Sequence, residues 1–513
     1  MKRLPFFLVF VIVFLLGNGA FARPWWKDAV FYEIFVRSFA DSNGDGIGDF
    51  QGIINKLDYL TNLGINAIWL MPINPSPSYH GYDVLDYTSV NPQYGTMEDF
   101  ERLLDEAHQR GVRVIIDLVL NHTSSTHLWF INSSKRDPLY DDFYIWRKDV
   151  TESGWGRPWG GGSKWDVWVR NSTRGEYYYA AFWSGMPDLN HRSPKVKEEV
   201  YKFTRFWLEK GVDGFRLDAI RYLIETGPGA GQADTEETLA WFESFNRYVK
   251  SINSNAVLVG EVWTDNRRVS KYYSTNGIMD LCFDFDRAGA FLSSDRDNII
   301  RVYMNNKRYS APADFYAPFL ANHDHYRAMN QLQNDEKLAR LAAVCLLTAT
   351  GTPFIYYGEE IGLAQPDMPD DKYKRMPLPW NNDKKRNYGF TTGKPWFSMP
   401  SVKSHVNIES QLKNRNSLLS LYRTLIAIRK ENKEFRSETL EIVPNDNPNL
   451  LIYKRIDGND ISWVMVNFST DKEELPLPAL ENKRVKNLAT GRTFAFKKGM
   501  KISGLDFLIL KEI

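Results

Sequence analysis

The stretch VRVIIDLVLNH, residues 112–122, begins as a β-branched apolar run and ends on the polar groups Asn121 and His122. Short runs of this kind, set between amphipathic stretches, predict buried strands of repeated βα units. Seven more occur along the chain: Val30 to Phe35, Ala67 to Met71, Gly214 to Leu217, Val257 to Gly260, Ile278 to Phe283, Phe315 to Leu320 and Phe354 to Tyr357. Between them, Met97 to Gln109 sets Phe100, Leu103, Leu104 and Ala107 on one helical face, and Lys195 to Glu209 repeats Val196, Val200, Phe203 and Trp207. Gly111 and Gly211 follow as helix stops. Eight strands with helical connections predict an α/β fold, a closed (β/α)8 TIM barrel, in preference to an open sheet.

Two segments depart from a plain barrel. Residues 123–192, between strand three and helix three, are rich in Trp, Gly, Asp and Asn, and a loop of that length predicts an inserted subdomain. From residue 433 the pattern becomes short alternating strands, Leu440 to Val443, Leu450 to Arg455, Ile461 to Asn467 and Phe507 to Leu510, which predict a C-terminal antiparallel β-domain over 433–513. The barrel then takes 23–122 and 193–432. At the other end, Lys2 and Arg3 precede an apolar run to Leu16, and Ala20 and Ala22 flank Phe21. This is the pattern of a signal peptide over 1–22, and it predicts a secreted protein, extracellular or periplasmic, with no stable membrane association after cleavage.

The 513 residues carry 64 basic and 63 acidic side chains, a net charge of +1 that offers no basic surface for nucleic acid. Aromatic residues reach 14%, and flat rings with polar edges suit sugars as well as a large core. The two cysteines, Cys282 and Cys345, are too few for a disulfide framework and read as buried thiols or as one bridge. A monomer is favoured.

In a TIM barrel the reactive groups sit at the C-terminal ends of the strands. Here those ends carry Asp117, Asp218, Glu261 and Asp324. Asp218 and Glu261 end adjacent strands four and five, where they could meet at the separation used to attack an anomeric carbon and protonate its leaving oxygen. Arg216, two residues before Asp218 and therefore on its side of the strand, would favour the ionised nucleophile. Glu261 would need a raised pKa to keep its proton, and closure over a sugar would promote that. The plainer reading of any one of these carboxylates is an ion pair at the barrel rim; four strand ends together outweigh it.

The motifs DLVLNH (117–122), GFRLDA (214–219), EVW (261–263) and NHD (322–324) resemble, in order, those of the alpha-amylase family, glycoside hydrolase family 13. Residues 64–72, MPDLN (186–190) and GTPFIYYG (351–358) support the resemblance, which covers nearly all of the mature chain. It implies that Asp218 is the nucleophile, Glu261 the general acid/base and Asp324 the carboxylate holding the reacting sugar's hydroxyls. By the same resemblance Arg216, His122 and His323 line that subsite, Tyr82 is the platform under the sugar with Asp83 beside it, and Asp117 is architectural. Trp155, Trp159, Trp165, Trp168 and Trp183 of the insert read equally as sugar-stacking rings or as core.

Asp41, Asn43, Asp45, Ile47 through its carbonyl, and Asp49 place oxygens at alternate positions of a Gly-rich loop, which suits calcium. Gly52 at position twelve excludes an EF-hand, while the loop resembles a calcium loop of part of the family. A second calcium site that the resemblance implies, using Asn121, is left out of the expected metal set, because Tyr222 stands where its histidine would be. The expected activity is retaining, endo-acting alpha-amylase cleavage of alpha-1,4 bonds in starch and maltodextrins, without an organic cofactor. Alpha-glucosidase, oligo-1,6-glucosidase or neopullulanase-like activity is the nearest alternative, followed by a transglycosylase such as trehalose synthase. A non-catalytic glucan binder would be expected to lack the three carboxylates.

Overall fold

Eight short parallel strands pair edge to edge in the order seven, six, five, four, three, two, one, eight. They are Phe31–Ile34, Ala67–Leu70, Arg113–Leu118, Gly214–Leu217, Val257–Gly260, Leu281–Phe283, Tyr316–Ala317 and Phe354–Tyr356. The seam between strands seven and eight is bridged by the Phe354 N–H donating to the Pro318 carbonyl at 2.9 Å, which brings the TIM barrel close to full closure. The computed structural model describes residues 23–275 and 277–513; the signal peptide expected at 1–22 lies outside them.

The runs expected as strands six and seven are longer than the strands formed. Strand six begins at Leu281 because Met279 instead donates its N–H to the Tyr272 carbonyl, and strand seven keeps only Tyr316 and Ala317. The helices start where caps supply oxygen to free N–H groups. Thr96 and Asp99 form a reciprocal capping box on Met97–Gln109, and Pro194 opens Pro194–Glu209 at a position that needs no N–H.

Alternation along the strands positions the site. Phe31, Trp69, Ile115, Val257, Val259, Phe283 and Phe354 form one buried cluster inside the barrel, with Phe31 stacked on Phe354 at 4.4 Å. Two residues further along the same strands, on the same face, come Glu33, Asp117 and Glu261. The barrel is therefore filled by an aromatic and aliphatic floor, and ionisable groups stand on it.

The insert has more structure than its weak periodicity suggests. Helix Leu128–Ser134 is followed by Trp146–Arg147, Trp168–Arg170 and Tyr177–Tyr179, which form an antiparallel sheet with 177–179 in the middle. The bridge His122–Asp188 ties it to the barrel rim, and Tyr144–Leu189 closes it on itself. The C-terminal sheet runs in the order 439–442, 450–457, 460–467, 506–512, 484–487, 493–495. Its last two strands, RVKN and TFA, are too short and polar to show in the sequence.

Arg429, on helix Leu418–Glu431, and Arg455, on the C-terminal sheet, are both buried and both donate to the carbonyls that end helix Glu336–Thr348. Arg455 Nη1 reaches the Thr348 and Ala349 oxygens at 2.5 and 2.7 Å, and Arg429 Nη1 reaches Ala349 O at 3.0 Å. Cations at a helix C-terminus meet the negative end of its dipole, which compensates part of their burial. Burial still pulls them down, to about 9 for Arg429 and about 10 for Arg455.

Candidate active site

Arg216 is fully buried with its guanidinium 5.2 Å from the Trp69 ring, and it gathers three carboxylates. Its Nη1 lies 2.8 Å from Asp117 Oδ1 and 2.7 Å from Asp218 Oδ1, and its Nη2 lies 2.7 Å from Glu261 Oε2. One planar cation thus bridges the two groups expected to react. Directly after Asp218 the backbone turns left-handed at Ala219, with φ 52°, and the Ala219 N–H donates to Glu261 Oε2 at 3.0 Å. Both contacts on Glu261 fall on Oε2, leaving Oε1 to carry a proton.

One guanidinium cannot balance three buried carboxylates, and that shortage sets the acidities. Burial, opposed by Arg216 and reinforced by the neighbouring anions, raises Glu261 to about 7 and Asp218 to about 6. Asp117 is raised as well, again by burial. Two expectations change as a result. Arg216 faces Asp218 as the strand spacing requires, yet it does not hold that carboxyl in the ordinary range. Glu261 is raised without any closure over a sugar.

Asp324 has the opposite environment. Burial would raise it, but His323 Nε2 at 3.1 Å from Oδ2 and Arg375 Nη2 at 2.9 Å from Oδ1 hold it well below the usual carboxylate range. Tyr82 stacks on His323 at 5.5 Å and 19°, with its OH donating to Asp117 at 3.0 Å. His122 is buried and pushed down to about 3 by burial, and its Nδ1 pairs with Asn121 Oδ1 at 3.1 Å.

These groups open into a cleft of about 1280 Å³ that Asp218, Glu261, Asp324, Tyr82 and His122 line together. Arg216 and His323 support it from beneath. Asp83 does not reach it: buried, it accepts hydrogen bonds from Ser76 and Ser78, and it is His80 of that loop that faces the cleft. The tryptophans of the insert divide. Trp155 and Trp168 are core, 5.3 Å apart, whereas Trp159 and Trp183, each 49% exposed, line the cleft. Trp165 is exposed elsewhere, against Tyr177. Across the cleft Trp263, 47% exposed, is stacked on Phe285 at 5.2 Å and 7°. Arg375, Phe182 and Glu33 escaped the sequence reading, and Tyr222, read there only in place of a histidine, lines the cleft. For Glu33 the cue existed, since it stands two residues beyond Phe31 on the first strand.

The Asp41 to Asp49 loop lies away from the cleft. Asp41 Oδ1 accepts from Asn43 and Gly44 N–H, Asn43 Oδ1 from Asp45 N–H, Asp45 Oδ1 from Ile47 N–H, and Asp49 from Ser42 and Gly52. Gly44 and Gly46 have φ of 85° and 92°, and a Cβ on Gly46 would lie 1.8 Å from the Lys394 carbonyl, so the loop requires glycine there. Every donor is a hard oxygen, the right chemistry for calcium. Among the described residues no three His, Cys, Asp or Glu side chains gather as a metal cluster, so Asn43 and the Ile47 carbonyl would have to complete such a shell. Near the position of the second family site, the Asn121 side-chain amide donates to the Tyr222 carbonyl at 2.8 Å.

The alpha-amylase family model, described as the alpha amylase catalytic domain, matches residues 33–438. Alpha-amylase 3 of Dictyoglomus thermophilum is 40% identical over 461 residues, 88% of this chain and 87% of that protein. Oligo-1,6-glucosidase of Heyndrickxia coagulans is 32% identical over 523 residues, 88% and 94% of the two chains. The crystal structure of the alpha-amylase from H. orenii superposes with a TM-score of 0.80 at 36% identity, over 95% of this chain and 100% of that one.

Proposed function

The chain belongs to the alpha-amylase family, glycoside hydrolase family 13, and from that membership we propose that it is a secreted, retaining alpha-amylase cutting internal alpha-1,4 bonds of starch and maltodextrins. In this reading Asp218 attacks the anomeric carbon with the oxygen that Arg216 leaves free. Glu261 gives its Oε1 proton to the departing glycosidic oxygen, and a covalent glycosyl-enzyme forms. Glu261, now ionised, takes a proton from water, which releases the sugar from Asp218 with its configuration retained. Asp324, held ionised by His323 and Arg375, accepts hydrogen bonds from the sugar's hydroxyls as the ring distorts, and Tyr82 supports the ring.

The observation that carries endo action is the cleft: about 1280 Å³, with exposed Trp159, Trp183 and Trp263 offering flat surfaces beyond the three carboxylates. A pocket for one terminal glucose would need far less room. Digesting soluble starch is expected to give mixed maltooligosaccharides early and, by proton NMR, products first released as the α-anomer. Glucose alone, released from chain ends, would overturn endo action, and a first-formed β-anomer would overturn retention. Hydrolysis of isomaltose in preference to maltotetraose would favour the oligo-1,6-glucosidase alternative, which includes relatives 31% to 33% identical to this chain.

Secretion rests on the Lys2 to Ala22 pattern. Among the described residues no helix is long and apolar enough to cross a membrane. Protein recovered from the medium or periplasm is expected to begin at Arg23 by intact mass, and a full-length chain retained in the cell would count against export.

Calcium is proposed for the Asp41, Asn43, Asp45, Ile47 and Asp49 oxygens in a structural capacity, since the loop packs on residues 391–395 and not on the cleft. A ligand bound only to the folded state at about 100 times its Kd stabilises by about 2.7 kcal/mol. EDTA is therefore expected to lower Tm by about 5 °C, reversibly on adding calcium. A Tm identical with and without chelator would remove the metal from the proposal.

A further inference from the structure

Glu33 is buried to 2% exposure on the first barrel strand, belongs to no motif of the sequence, and has no part in the two-carboxylate chemistry. Its Oε1 lies 2.6 Å from His323 Nδ1 and 3.4 Å from the His323 backbone N. The other ring nitrogen, Nε2, lies 2.7 Å from Tyr82 Oη and 3.1 Å from Asp324 Oδ2. The Tyr82 hydroxyl already gives its hydrogen to Asp117 and receives one from Arg216 Nη1 at 3.3 Å, so towards His323 it can only accept. Asp324 is an acceptor too. Nε2 must therefore carry a proton, and at Nδ1 the backbone N–H and the ring both point at the same Glu33 oxygen, which marks that oxygen as a carboxylate acceptor. With Glu33 ionised, both ring nitrogens are donors.

From this hydrogen-bond inventory we propose that Glu33 is a positioning residue: it fixes His323 as a doubly protonated imidazolium whose Nε2–H is aimed at the side of the cleft shared by Tyr82 and Asp324. The inference rests on the glycosidase reading for its consequence but not for its geometry. A neutral His323 could donate from only one ring nitrogen, whereas the imidazolium donates from both, keeps Asp324 ionised and packs against the Tyr82 ring. The groups facing it are Glu33 from strand one, Tyr82 from the loop after strand two, Asp117 from strand three and Arg216 from strand four, with Asp324, His325 and Arg375 from the rim. Burial opposes the charge, but Asp324 and Glu33 outweigh it and raise His323 to about 9. Supplying a second anion from the barrel interior leaves Asp324 only one contact from His323, on Oδ2, beside the Arg375 contact on Oδ1.

The test is the protonation state itself. In enzyme labelled with 15N at its eight histidines, one imidazole assigned by its loss in H323Q is expected to keep the imidazolium signature at pH 8. In E33Q, which keeps shape and removes charge, that resonance is expected to become neutral at pH 8. Its kcat on maltotetraose should fall by about 10- to 100-fold, less than the about 10²- to 10³-fold lost with a direct transition-state donor. KM should stay within about twofold, and the ratio of E33Q to wild-type kcat should decline from pH 5 to pH 8. A role confined to packing would lower that ratio equally at every pH. A neutral His323 in the wild type, or an unchanged charge and pH ratio in E33Q, overturns the proposal, and the wild-type spectrum decides even if E33Q does not fold. Wild-type enzyme inactive on glucans would instead remove the glycosidase reading and leave the spectroscopic result standing.

Discussion

Replacing Asp218 by Asn is expected to lower kcat on maltotetraose by about 10⁴- to 10⁶-fold, the scale on which removing a covalent nucleophile acts. The amide keeps the volume and can still meet Arg216, so the loss is chemical. Two further readouts separate this from disruption of the site. Asp218 is one of the anions that raise Glu261, so Glu261 is expected to titrate lower in D218N. A carboxyl whose folded pKa lies above its unfolded value costs stability once it is ionised, and that cost is relieved as pH falls through the folded value of about 6. D218N should therefore be at least as heat-stable as the wild type at pH 8. Residual activity within tenfold of wild type would remove Asp218 from the nucleophile's position.

Glu261→Gln is expected to cost about 10²- to 10⁴-fold on natural glucans, the range for general acid–base catalysis. The loss should be much smaller in forming the glycosyl-enzyme from an α-glucosyl fluoride, whose leaving group needs little protonation. The wild-type kcat/KM profile should be a narrow bell. Activity requires Asp218 ionised, giving an acid limb near 6, and Glu261 protonated, giving a basic limb near 7, both belonging to the coupled pair. E261Q removes the group behind the basic limb, so that limb should vanish while an acid limb remains, moved lower by the loss of the neighbouring carboxyl. A basic limb that persists in E261Q would assign the proton to another group.

The barrel and the carboxylates gathered at its mouth were legible because both follow local rules. Apolar runs of the right length mark strands, and polar residues just beyond them mark the cleft. Asp218 and Glu261 fall out of that spacing alone. Arg375 does not, because it reaches Asp324 across 51 positions from a short 3-10 segment with no periodicity. The insert tryptophans resisted for a related reason: without a regular helix or strand, spacing cannot separate the buried Trp155 from the exposed Trp159. The position of Asp83 was not legible either, because its contacts with Ser76 and Ser78 depend on how the loop folds back and not on spacing. The acidities depended on a ratio, three buried carboxylates to one guanidinium, that only the assembled barrel reveals.

The two buried arginines at the end of helix Glu336–Thr348 bear on how the molecule comes apart. Arg455 belongs to the C-terminal sheet, yet the carbonyls of Thr348 and Ala349 that it satisfies belong to the barrel. Separating the two bodies would exchange these hydrogen bonds for water, a net loss of about 1 kcal/mol each, and would expose the apolar surface packed around them. The sheet is thus less an appended module than a keystone. Barrel and sheet should melt in one transition, and a chain ending near residue 432 would lack part of its own barrel's hydrogen bonding.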